Sequence, residues 1–144
     1  MTTPTRIVPT SRLAERYVVT VMVVAGLEML VAGVWAWLAP RSFARAVDFP
    51  HHEHFLHDLG VFQIGIGVAL LVALVWRDAR AVVLTSFLVA NTLHALNHAL
   101  DRHLGGHTSD AYVLGVLSLL TGAALVLRVR QLRPLGAQKP PRES

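Results

Sequence analysis

Four long apolar runs, each able to cross a lipid bilayer, constrain this chain more than any other feature. They fall at about 17–38, 59–76, 81–100 and 111–129. A helix rises 1.5 Å per residue, so roughly 20 apolar residues cross about 30 Å of hydrocarbon. Inside hydrocarbon every backbone N–H and C=O needs a partner within the protein, and helices provide one locally. The expected fold is therefore all-α, an integral membrane antiparallel four-helix bundle with short loops. Composition agrees. Hydrophobic residues make up 53% of the chain and charged residues 15%, against about 25% charged in soluble domains.

The rest of the organisation follows from what flanks the runs. Residues 1–16 read as a polar tail carrying Pro4, Pro9, Arg6, Arg12 and Arg16, and 17–129 as the transmembrane domain. Residues 130–144 read as a Pro-rich basic tail of disordered type. The first run is longer than a signal-peptide core, with no small-residue cleavage site before Pro40, and reads as a retained span. Arg77-Asp78-Ala79-Arg80 is short enough to force spans two and three into a hairpin, and Arg41–Leu56 reads as an amphipathic interfacial linker.

Lysine and arginine set the orientation. Ten of the thirteen lie in the two tails, at Arg128 beside the second tail, and in the Arg77/Arg80 connection; only Arg41, Arg45 and Arg102 lie on the other face. The positive-inside rule places both termini in the cytoplasm (N-in, C-in) of a cell (inner) membrane, and an even number of spans agrees. Tyr17 and Trp76 fall at the inner boundary, and Trp35, Trp37 and Tyr112 at the outer one, as aromatic belts do. The net charge of +4 is thus a topology signal, and no nucleic-acid partner is expected. With no cysteine, disulfides, zinc ribbons, iron–sulfur ligation and thiol redox chemistry are excluded.

Histidine distribution is the informative anomaly. His51, His52, His54 and His57 lead into the second span, and His94, His98, His103 and His107 close the third span and its loop. The hairpin brings both sets to one face, the outer one. Asn91, His94, His98 and Asp101 are spaced by three, four and three residues and so share one stripe, with Asn97 beside it. On the second span His54, His57 and Asp58 share a face that continues through Val61 and Gly65, where the missing side chain is expected to admit a neighbouring helix. Glu28, mid-way along the first span, is expected to turn inward with Gln63 as a neighbour, because a carboxylate in lipid is costly. Asp110, Ser118 and Thr121 fall along one line of the fourth span.

Three functions remain open on these residues. The first is a metal or haem site near the outer boundary, built from His54, His57, Asp58, His94, His98 and Asp101, in an accessory redox or metal-handling role. Imidazoles at i and i+4 can bind one ion, and they suit zinc, copper or iron. Acidic neighbours orient the rings, and a haem could take one histidine from each of two helices. The second is a small-solute or proton-coupled transporter component, with Glu28, Gln63, Asn91 and Asn97 as the pathway. The third is a non-catalytic interaction subunit or pH sensor, since histidine titrates near neutrality. The lipid bilayer is the expected partner, with a membrane protein or a second copy beside it.

The HxxxH spacing of His94/His98 and His103/His107 resembles membrane di-iron hydroxylases only in spacing, and Gly105-Gly106 would break a helix joining the second pair. No nucleophile elbow, P-loop or dinucleotide fingerprint occurs, and Gly65-Ile66-Gly67 reads as a packing feature. In size, four spans and a short central connection, with His57-Asp58-Leu59-Gly60 and His94-x3-His98 as local features, the chain resembles the small four-span bacterial membrane proteins of DoxX/MauE-like type. That resemblance implies quinone-associated redox or partner-enzyme maturation, and it transfers no site residue.

Overall fold

A computed structural model describes residues 11–132, all helix, turn and loop with no strand among them. The expectations for residues 1–10 and 133–144 lie outside the described residues. The elements are α1 (Arg12–Leu38), α2 (Pro40–Ala46), α3 (Glu53–Val75), a 3-10 turn (Arg77–Ala79), α4 (Arg80–Leu100) and α5 (Asp110–Leu132). The four long helices are apolar and long enough to cross a membrane, so the chain is an all-helical protein of multi-pass type.

The helices overrun the apolar runs for local reasons. α1 starts at Arg12, so the lead-in before Tyr17 is helical; the Glu15 N–H donates to Ser11 O at 3.1 Å. α3 starts six residues ahead of its apolar run, because His52 caps it: Nδ1 accepts from the Phe55 N–H at 3.2 Å. Only Pro40–Ala46 of the expected interfacial linker is helical, opened by proline in the first turn. Gly105 and Gly106, at φ 135° and 85°, end the α4 side of its loop in conformations that side chains disfavour.

Packing begins with backbone contact between α1 and α3. A Cβ on Gly60 would lie 2.6 Å from Gly33 O, and one on Gly33 2.7 Å from Gly60 O. One on Gly67 would lie 2.8 Å from Gly26 O. As the position on α1 rises, its partner on α3 falls, so the two helices run in opposite directions. Small residues allow this approach, and in lipid close packing replaces the hydrophobic drive. Gly65, expected to admit a neighbour, instead faces open space with nothing within 4 Å. It lies two residues from Gly67, about 200° around the helix.

α4 and α5 form a second opposed pair. Asn91 Nδ2 donates to Leu114 O and to Ser118 Oγ, both at 2.8 Å. The pairs join in a core drawn from all four long helices: Val18, Val21 and Met22 of α1, Ala73 of α3, Leu84 of α4 and Ala124 of α5. The next layer is Ala25, Met29, Leu70 and Phe87. Beyond it the sharing stops. Ala36, Phe43, Ala44 and Leu56 form a third cluster from α1, α2 and α3 alone. At that level the α4 and α5 inner seams carry polar groups in place of buried apolar ones.

Candidate functional site

The α4 seam continues into that open end. Arg80, Leu84, Phe87 and Asn91 are its buried residues, spaced by four, three and four, and the same period leads to His94 and His98. His94 is exposed and His98 half-buried, because no apolar layer closes over them. One helical turn brings the rings together: Nε2 to Nε2 is 3.0 Å, with centroids 4.8 Å apart and planes tilted by 44°.

A carboxylate meets this pair from the other helix. Asp110 opens α5 and accepts from the His107 N–H at 2.7 Å, which fixes the loop leading into the helix. The same Oδ2 lies 3.7 Å from His98 Nδ1 and 3.9 Å from His107 Nδ1. These are ion-pair distances, beyond hydrogen bonding. Asp110 and His98 expose 28% and 24% of their side chains, so the contact is partly screened from solvent. The loop seals it. The Gly106 N–H donates to Asp48 O at 2.8 Å. A Cβ on Gly106 would lie 2.9 Å from His98 Nδ1 and 3.3 Å from Asp110 Oδ2. The order is Asp110, then His98 through its two ring nitrogens, then His94.

The other expected site residues are placed elsewhere. Asp101 is exposed at the C-cap of α4; the helix ends there, and Asp110 approaches His98 in its stead. Asn97 is exposed one residue, about 100°, around from His98. His54 faces solvent with 83% of its side chain exposed and lies 3.5 Å from Asp58, while His57 is half-buried. Among the described residues no three histidine or acidic side chains gather in a way that could hold a metal ion. Glu28 does not turn inward but is exposed on α1, about 100° around from buried Met29. Gln63 is half-buried, and its Oε1 has no partner among the described residues.

One further polar centre joins arginines read from sequence only as topology charge to Glu15, which sequence reasoning missed. At the opposite end of the bundle Glu15 accepts from Arg77 Nη2 at 2.9 Å and from Arg80 Nη1. Arg80 is 4% exposed. It also donates to Ala73 O at 3.1 Å and Leu74 O at 2.8 Å, capping the last carbonyls of α3. Arg128 Nη2 donates to Arg77 O at 2.7 Å. This network ties all four long helices together and brings the start of α1 and the finish of α5 to one end. No protein-family model, curated protein or solved structure matches this chain.

Proposed function

We propose that this chain is a multi-pass subunit of the cell membrane, with its Glu15 end in the cytoplasm, and that the His94–His98–Asp110 centre makes its outer face proton-responsive. The single observation that carries this is the 3.0 Å Nε2–Nε2 contact. A neutral imidazole has one donor and one acceptor nitrogen, whereas an imidazolium has two donors. The contact therefore tolerates a neutral pair, one ring donating to the other. It also tolerates one added proton, which makes a charge-assisted bond with Asp110 as counter-charge. A second proton turns both Nε2 atoms into donors, and the contact must open. Asp110 faces two imidazoles, at 3.7 Å from His98 Nδ1 and 3.9 Å from His107 Nδ1. An opened pair would push against Gly106 and so against the loop tied to Asp48. An accessory role of this kind suits the DoxX/MauE-like resemblance.

Nitrogen-15 NMR of the histidine rings, on the full chain in micelles between pH 8 and 5, tests it. The two Nε2 resonances are expected to lose the signature of their shared hydrogen bond as the pH falls. A His94 titration left unchanged by His98→Asn overturns the reading.

A second reading has a specific observation behind it. Two imidazoles on one ion at roughly 2.0–2.1 Å hold their nitrogens about as far apart as His94 and His98 do. Such an ion would have two ligands from this chain, and water or a partner would complete its shell. That suits passing a zinc, copper or iron ion onward in metal handling. Haem does not suit this pair, since a porphyrin cannot pass between nitrogens 3.0 Å apart. Equilibrium dialysis against Zn²⁺ and Cu²⁺ decides it: retention lost in His94→Asn supports the metal reading, and no retention removes it. A transport pathway through a single chain is disfavoured by Glu28, which lies on the bundle's surface.

A further inference from the structure

Glu28 is the one ionisable side chain among the described residues that stands in mid-span without a partner. It lies between the boundary aromatics Tyr17 and Trp37, roughly 15 Å from each at 1.5 Å per residue. It is exposed on α1, and none of the hydrogen bonds or ion pairs among the described residues includes it. The nearest arginine on its own helix is Arg16, more than three turns away. Hydrocarbon tolerates an unpaired carboxyl only as the neutral acid, which still brings one O–H donor and one carbonyl acceptor that lipid tails cannot meet.

Its neighbours on the helix form a seam. Val24, Glu28, Val31 and Trp35 are all exposed and are spaced by four, three and four, the 3.5-residue repeat along which two helices pack side by side. The opposite face of α1 uses the same repeat: Met22, Gly26, Met29, Gly33 and Ala36 are its buried seam, and Gly26 and Gly33 meet α3 there. The apolar members of the exposed seam are at home in lipid. Glu28 is not, and it is the residue that calls for an occupant.

We propose that a second copy of this chain covers the seam, with its α1 parallel to the first and the two Glu28 carboxyls facing each other across a two-fold axis along the membrane normal. Copies inserted by one charge rule share one orientation, so Glu28 stands at the same depth in each. A two-fold interface sets a residue on its axis against itself. Two neutral carboxyls placed in this way donate to each other: each O–H meets the carbonyl oxygen of the other, and both donors and both acceptors are satisfied. Any other occupant needs a hydrogen-bonding group of its own at that depth, whereas a second copy brings the matching one with it. The pairing uses neither histidine and so stands apart from the outer centre.

The chain has no cysteine, so a single introduced one reports a single contact. Full-length Val24→Cys and Val31→Cys chains, reconstituted in liposomes and oxidised, are expected to cross-link into dimers. Val116→Cys is the control and is expected not to cross-link: Val116 is as exposed on α5 as Val24 is on α1, and its neighbour Leu117 packs against the Met29 layer, which sets it at a similar depth. Diluting the Val31→Cys chain with lipid gives the midpoint of dimer dissociation. Adding Glu28→Leu should weaken the dimer about tenfold, the scale of hydrogen bonds between helices in membranes. Glu28→Gln, whose carboxamides pair with each other in the same way, should hold the midpoint near its original place. Leucine on an outward face leaves the bundle intact, which unchanged far-UV circular dichroism checks. A chain that stays monomeric at every dilution overturns the proposal, as does a dimer that cross-links equally through Val116→Cys or is unmoved by Glu28→Leu. A Glu28→Gln dimer as weak as the Glu28→Leu one overturns the hydrogen-bonded pair.

Discussion

Adding a single methyl group to α3 should have opposite effects five residues apart. In Gly60→Ala the new Cβ would sit 2.6 Å from Gly33 O and 2.9 Å from Trp37 N. Ordinary contact begins at 3.4 Å, so α1 and α3 must separate by about 0.8 Å. The obstacle is backbone on both sides, which cannot rotate away as a side chain can. Overpacking of this kind costs about 1–3 kcal/mol. Alanine returns roughly 0.5–1 kcal/mol through its better helix propensity. The net loss for Gly60→Ala is then about 0–2.5 kcal/mol. Gly65→Ala meets nothing within 4 Å and keeps only the propensity gain. The two variants should therefore differ by about 1–3 kcal/mol, roughly 5- to 150-fold in the unfolding equilibrium. SDS-induced unfolding of the full chain in mixed micelles, followed by circular dichroism, measures it. Trp35 and Trp37 beside the crossing supply a local fluorescence signal. If Gly60→Ala proves as stable as Gly65→Ala, the backbone crossing is not what holds α1 to α3.

Four further outcomes follow from the polar contacts and the loop that covers them. Arg80→Gln should cost about 3 kcal/mol, since it removes one of the two guanidinium partners of Glu15 and leaves two α3 carbonyls unmet at a nearly buried position. Arg77→Gln, whose side chain is 62% exposed, should cost less than about 1 kcal/mol in the same assay. Asn91→Leu removes both links to α5 and should cost about 1 kcal/mol, the usual scale for such bonds within membranes. Gly106→Ala forces an L side chain to φ 85° against His98 Nδ1. It should cost about 1–2 kcal/mol and alter the His98 ring resonances, while His54→Asn leaves them unchanged.

Much of the frame was legible in the residues. The apolar runs implied helices, and all four long helices formed over them. The four-residue connection became a 3-10 turn, and Gly105-Gly106 broke the chain where expected. His94 and His98 meet because they are one turn apart, which is a property of the helix itself. Less legible was whatever depended on a neighbour. Asp101 has the right spacing for the histidine stripe, yet Asp110 fills that place, and only its three-residue spacing from His107 hinted at a cap. Arg80 and Arg128 are distant in sequence and looked like independent topology charges, and nothing in the spacing of Glu15 tied it to them.

Sequence by itself determined that hydrocarbon-length helices form, where they stop, and which side chains share a face along each. Those follow from local rules: 1.5 Å of rise, 100° of turn, and the need to satisfy the backbone within one segment. The tertiary structure alone decided which face meets which partner and at what height. It buried Gly67 and left Gly65 open, turned Glu28 to the surface, and ended the shared core below His94. Those outcomes depend on close fit between surfaces from distant segments, and such fit has no counterpart in the periodicity of any one of them.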